Sequence, residues 1–237
     1  MIDTVSSPGA AGSHTSKAYV ALERSIVTGE LPPGSQWSEI ALAERIGLGR
    51  TPTREALHKL AYQRLVVIAP RQGVFISEID YPGQLKVIEA RREIERLIVG
   101  QAAQWASDDE RLRLEQLAVA LEQLKQHNDM HEYLRLHAVF TGLMGEASRN
   151  GYAAEFYGVL QTIARRFLFF HQKGHTRLNE ICDTHIAQAR AGASGDVAKS
   201  IAASVERNGY AEALARTILM EMIATSAVTI TPGVRGR

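Results

Sequence analysis

Arginine and threonine crowd into one short stretch, Arg50-Thr51-Pro52-Thr53-Arg54, at the start of a segment whose apolar residues recur at helical spacing. An arginine fork matches the two major-groove acceptors of guanine, and equally a phosphate. The hydroxyls of Thr51 and Thr53, with the free N–H groups of a helix start, suit phosphate oxygens. Arg71 and Gly73 fall at the tip of a predicted hairpin, where glycine lets the backbone approach a ligand closely. The whole chain has a net charge of +1, yet between Arg45 and Arg71 six Arg or Lys residues face a single acid, Glu55. Charge alone fits a solvated helix face as well as a nucleic-acid surface. The order of the surrounding elements has to separate the two.

Other chemistry is sparse. His171 and His175 stand four apart, a spacing that puts two ligands on one helix face. Lys173-Gly174 interrupts the helical pattern between them, and metal ligands need a rigid frame. Phe167, Phe169 and Phe170 read as core rather than a cofactor box. Cys182 is the sole cysteine, so neither an intrachain disulfide nor a cysteine-based zinc site can form; it reads as a small half-buried side chain and fits a reducing cytoplasm. The chain has no HExxH pair, nucleophile elbow or glycine-rich phosphate loop. No run approaches the ~18 apolar residues of a membrane span, and the first residues lack the pattern of a secretory signal. The reading is therefore a cytoplasmic protein without a membrane partner. Two rivals are a metal-dependent helical-bundle enzyme, which lacks its ligand set, and a non-DNA scaffold, which leaves the basic segment without a purpose.

The elements that must position these residues follow from periodicity. Residues 1–15 read as a disordered tail. Tyr19, Leu22, Ile26 and Val27 share one face of a helix over 16–28. Leu31-Pro32-Pro33-Gly34 is a turn. Ser38 caps a short helix, 39–46, closed by Gly47. Thr51 is the expected cap of the next helix, which buries Ala56, Leu57, Leu60 and Ala61. Two β-prone runs, Leu65–Ile68 and Val74–Ile76, predict a two-stranded hairpin. Helix, helix, turn, helix, hairpin is the order of a winged helix-turn-helix, whose last helix enters the major groove. It spans 16–78. After a linker, 79–83, residues 84–225 read as about six helices in a bundle, with breaks near 107, 128, 150, 173 and 192–195. Residues 226–237 read as a flexible tail. The fold class is mostly α.

Residues 18–77 resemble the DNA-binding domain of the GntR family of bacterial transcription regulators. The resemblance is carried by Ile26-Val27-Thr28-Gly29-Glu30-Leu31-Pro32-Pro33-Gly34, Ser38-Glu39, Leu42-Ala43-Glu44, Gly47-Leu48-Gly49-Arg50-Thr51-Pro52-Thr53-Arg54-Glu55-Ala56-Leu57, Leu60 and Arg71-Gln72-Gly73-Val74. Gly49 departs from the usual Ser or Thr, and Thr53 from the usual Val. The implied partner is double-stranded operator DNA, with Arg50, Thr51, Arg54 and Gly73 the best contact candidates and Thr53 and Arg71 beside them.

The helical length resembles the FCD branch of the same family, through Glu89-Ala90-Arg91-Arg92-Glu93-Ile94-Glu95, Phe140, Glu146-Ala147-Ser148-Arg149-Asn150, Arg166-Phe167, His185 and Gly195-Asp196. That branch implies a homodimer and a small-molecule effector held inside the bundle, in many members through a divalent metal on an Asp and three His. Aligned on Asn150, His185 and Asp196, those positions read here His137, Thr141, His185 and Arg207, or Asn208 with a one-residue shift. Only His137 and His185 remain good ligands. No cofactor is expected, a divalent metal is disfavoured, and Arg207 is expected to supply the positive charge instead. The effector candidates are Arg91, His137, Thr141, Arg166, His185, Arg207 and Asn208, and the cations among them point to an anionic, carboxylate-bearing ligand. Taken singly, His137 reads as a core histidine, and Arg91 as a surface partner of Glu95 one turn away.

Overall fold

The computed structural model describes residues 13–175 and 178–228. The chain divides into two compact units: residues up to Ile79 together with Gln161–Phe170, and Asp80–Leu160 together with the chain from His171 onward.

In the first unit, α1 (His14–Val27) starts two residues earlier than the sequence predicts, because the Ser13 side chain accepts a hydrogen bond from Ser16 N and caps the helix. The expected tail over 1–15 lies outside the described residues up to residue 12, and α1 takes its last two residues. α2 (Glu39–Ile46) is capped by Ser38, which accepts from Ala41 N, and stopped by Gly47 at φ 66°. α3 (Arg50–Tyr62) begins after Gly49, which is its N-cap and provides no side-chain cap. Thr51 is therefore inside the helix rather than its cap. The expected hairpin is part of a three-stranded antiparallel sheet in which β3 (Gly73–Ile76) lies between β1 (Gln36–Trp37) and β2 (Val66–Ala69). Gln36 pairs with Phe75, and Val67 with Phe75 on the other side. Two residues are too few for alternation to show, which hid β1. Leu22, Ile26, Leu42, Leu57, Leu60, Val74 and Ile76 form the core beneath these elements.

In the second unit, α4 (Gln84–Trp105), α5 (Asp108–Leu124), α6 (Met130–Ala147), α8 (Leu178–Ser194) and α9 (Val197–Val228) pack together. α4 lies against α9, α5 against α8, and α6 against α4 and α5. α7 (Gly151–His175) contributes residues to both units. Its helix runs through Lys173-Gly174 to His175, so the pattern is not interrupted at the expected place. The side chain of His175 lies outside the described residues. His171 meets the edge of Tyr81 at a ring distance of 5.1 Å. α9 runs to Val228, past the expected domain end, and the rest of the predicted tail, 229–237, lies outside the described residues. No described helix is long and apolar enough to cross a membrane.

α4 buries Ile88, Arg91, Glu95, Ile98 and Ala102, a stripe at alternating spacings of three and four. α9 buries Ser200, Ser204, Arg207 and Asn208 in the same manner. Polar residues on core-facing stripes of two packed helices must satisfy one another, since burying an unpaired polar group is costly. That requirement builds the site described next.

Candidate functional site

The basic surface is assembled at the start of α3. Arg50, Thr51 and Arg54 are exposed, while Thr53 is fully buried. The Thr53 hydroxyl donates to Gly49 O at 2.8 Å, locking the helix start from inside. Thr53 is thus removed from the candidate DNA contacts, and its exchange with the usual valine is intelligible at a buried position. With no side-chain cap on α3, its first N–H groups stay available to an anion. Arg54 lies beside Glu39 at the start of α2, Nε and Nη2 both 2.9 Å from Oε2.

The wing tip is a β-turn closed by Gln72 N donating to Ala69 O at 3.1 Å. Pro70 takes its second position and Arg71, at φ 63°, its third, which is the pattern of a type II turn. A left-handed arginine is uncommon, and here it leaves the side chain exposed at the tip. Gly73, at φ 107°, faces Trp37 O so closely that an added Cβ would stand 2.6 Å from it. Glycine is required at that position by the sheet itself.

The second constellation is buried in the helical unit. Arg207 lies at its centre. Its Nη1 donates to both carboxylate oxygens of Glu95, at 2.8 and 3.0 Å. Its Nε donates to His185 Nε2 at 2.8 Å, and its Nη2 to His137 Nε2 at 3.0 Å. A guanidinium only donates, so both imidazoles are neutral there and carry their proton on Nδ1. His185 Nδ1 is 3.2 Å from Ile181 O and 3.0 Å from the Tyr133 hydroxyl. Burial first, and then the Arg207 charge, push His185 well below its ordinary pKa. The two imidazole rings stack edge-on with centroids 4.5 Å apart.

Arg91 is the second guanidinium. It is buried, donates from Nε to Asn208 Oδ1 at 2.9 Å, and approaches Glu95 Oε2 at 3.8 Å. Its Nη2 is buried with no hydrogen-bond partner among the described residues. Gln188 Nε2 donates to Glu95 Oε1 at 2.6 Å, and Ser204 Oγ reaches the same oxygen at 3.3 Å. Burial raises the Glu95 carboxyl, but Arg207 and Arg91 outweigh it and hold it ionised. Arg91 is lowered to about 10 by burial and by the like charge of Arg207. Two buried guanidiniums thus share one buried carboxylate.

Of the seven effector candidates, Arg91, His137, His185, Arg207 and Asn208 are joined in this network. Thr141 lies one turn along α6 from His137, buried, its hydroxyl donating to His137 O at 2.9 Å. Arg166 is not among them: it belongs to the first unit, where its Nη2 donates to Ser77 O. The reading of Arg91 as a surface partner of Glu95 is also replaced, since both are buried. Sequence reasoning missed Glu95, Tyr133, Gln188 and Ser204 as site residues. The stripe 88-91-95-98-102 on α4 was the signal for Glu95.

A divalent metal does not fit the residues present. The Nε2 lone pairs of His137 and His185, which such an ion would use, both accept from the Arg207 guanidinium, and a cation there repels another. The Thr141 hydroxyl is committed to its own helix. Among the described residues, no group of three or more His, Cys, Asp or Glu side chains gathers to hold a metal ion.

The profile of the FCD domain matches residues 86–206, and that of the bacterial regulatory proteins of the gntR family matches residues 14–76. The chain belongs to the GntR family, in its FCD branch. These matched domains are those of transcription regulators, not of enzymes. Among curated relatives, this regulator is 40% identical over 78 residues to an uncharacterized HTH-type transcriptional regulator from the TAR-I ttuE-ttuC' intergenic region of Agrobacterium vitis, covering 33% of the chain and 43% of that protein. It is 27% identical over 119 residues to HTH-type transcriptional regulator McbR of Escherichia coli, covering 50% of the chain and 54% of McbR. The regulator thus spans about half, or less, of these relatives' length. The solved structure of E. coli McbR/YncC shares the fold, with a TM-score of 0.75 at 21% identity over 88% of this chain and 99% of that one. A putative GntR regulator from Rhodococcus gives 0.66 at 19% identity over 87% and 99%.

Proposed function

We propose that this GntR-family chain is a ligand-responsive transcriptional repressor that binds a pseudo-palindromic operator as a homodimer. Arg50, Thr51, Arg54 and the wing residues Arg71 and Gly73 contact the DNA. A small carboxylate-bearing effector enters the helical unit and changes operator affinity. The observation that carries the effector reading is the buried Arg91 Nη2, which has no partner among the described residues in a cluster with one more cation than anion. Leaving a buried charge uncompensated is costly, and a carboxylate accepting from Arg91 removes that cost. By linkage, an effector that lowers operator affinity must itself bind less tightly to the DNA-bound protein.

The test is fluorescence anisotropy with DNA taken from upstream of the protein's own gene, titrated with and without a panel of monocarboxylates. Sequence-specific binding that one of these acids changes at least about fivefold, the lower end of ordinary allosteric coupling, is the expected result. Binding that is indifferent to sequence, or to salt, refutes the DNA reading. Sequence-specific binding that no acid moves refutes the effector reading.

A further inference from the structure

The relation of Arg207 to the two histidines carries one step more, resting on the effector reading above. His137 and His185 come from different helices, α6 and α8, and both turn Nε2 toward the same point. Convergent imidazole lone pairs are the usual signature of a metal centre. What stands at the point of convergence is the guanidinium of Arg207, from α9, whose remaining donor edge is closed by Glu95. We infer that Arg207 is a resident cation taking the place of a divalent ion, so that the helical unit holds its ligand on protein cations alone and works without metal.

Three features of the geometry support this assignment. The guanidinium uses its donors as a metal uses its coordination positions, one toward each imidazole and a third toward a carboxylate. The cation cannot leave the chain, so the site has no apo form and no dependence on metal supply. Unlike a metal, a guanidinium thus enclosed offers no open position to an incoming oxygen, which shifts the ligand's anchor to the neighbouring Arg91 Nη2. The same arrangement explains why Thr141 is tolerated on α6. A position that no longer coordinates anything needs only a small residue able to satisfy its own hydroxyl within the helix.

The experiment is metal stoichiometry on full-length protein. Wild type and Arg207→His are dialysed against zinc chloride, then against metal-free buffer, and analysed for zinc. The wild type should retain none at this site. Arg207→His should retain about one ion per chain, because a third imidazole joins His137 and His185 at the spacing of a three-ligand site, and His137→Ala added to it should remove that ion. One zinc per wild-type chain that disappears in the single variant His137→Ala overturns the inference. That arm needs no folding of Arg207→His, so a variant that precipitates still leaves the inference exposed to refutation. A failure of the effector reading looks different: the wild type carries no zinc, which upholds the resident cation, while no carboxylate moves its affinity for DNA.

Discussion

Arg54 and Glu39 face each other across the turn of the helix-turn-helix, with Nε and Nη2 of the arginine both 2.9 Å from one carboxylate oxygen. The carboxylate holds an otherwise flexible side chain at the start of α3 by its Nε/Nη2 edge, which leaves Nη1 able to donate to a base or phosphate. Arg54→Ala should weaken specific operator binding by about 1–3 kcal/mol, the size of one good arginine contact, with no change in helical content. Glu39→Gln removes the brace and one negative charge from the surface. It should raise affinity for arbitrary DNA and lower the preference for the operator, both read by anisotropy at fixed salt. Unchanged sequence preference in Glu39→Gln would mean that the brace has no part in recognition.

The buried network makes opposite predictions for its two kinds of member. Glu95→Gln leaves Arg91 and Arg207 facing each other without a counter-ion, and breaking a buried pair in this way costs roughly 3–5 kcal/mol. Arg91→Met removes the surplus cation and keeps the Arg207–Glu95 pair. It should hold or raise the melting temperature of the ligand-free protein, bind operator as before, and lose the response to carboxylates. Equal destabilisation by both changes would show that Arg91 is already compensated.

How much of this was legible before the structure depends on whether the signal was local. The helix-turn-helix was, because Ser38, Gly47 and the Pro-Gly turn each act on their own neighbours. The burial of Thr53 was not, since a hydroxyl beside two exposed arginines looks like a surface donor until the helix is placed on its core. The convergence of His137, His185 and Arg207 was visible only through the resemblance, because it joins three helices. Glu95 was read only as a surface partner of Arg91 because acids are seldom buried, although its place at helical spacing with Ile88, Ile98 and Ala102 marked it. That Arg166 lies with the first unit was not legible, for want of any local difference: nothing in Ala164-Arg165-Arg166-Phe167 tells which unit the helix serves at that point.

The wing offers a test of backbone geometry. Gly73 has φ 107°, and a Cβ there would meet Trp37 O at 2.6 Å. Gly73→Ala must therefore part β1 from β3, adding a strain of about 1–3 kcal/mol. Melting temperature should fall, and DNA affinity should fall further than stability alone explains, because Arg71 shares the same hairpin. Arg71→Gly is the converse, since glycine adopts φ 63° freely. It should leave stability unchanged or slightly higher while weakening DNA binding. A Gly73→Ala protein with wild-type stability would require a different register for β1.

Glu110 links the acid stability of the helical unit to one helix start. It closes a capping box with Ser107 at the head of α5 and accepts two hydrogen bonds from Arg149, at 2.7 and 2.5 Å. Burial raises its carboxyl, but the Arg149 and Ser107 hydrogen bonds outweigh this and leave it below its ordinary value of 4.5. A carboxyl depressed in the folded state binds fewer protons than in the unfolded chain, so its contribution is complete above the unfolded value and is lost as pH falls through the folded one. Glu110→Gln should therefore cost about 1–2 kcal/mol near neutral pH, the usual worth of a helix cap. The gap between variant and wild type should close as the pH drops below the ordinary carboxylate range. Urea melts of both proteins across that range measure it directly, and a gap that stays constant down to low pH would assign the loss to packing rather than to the Glu110 charge.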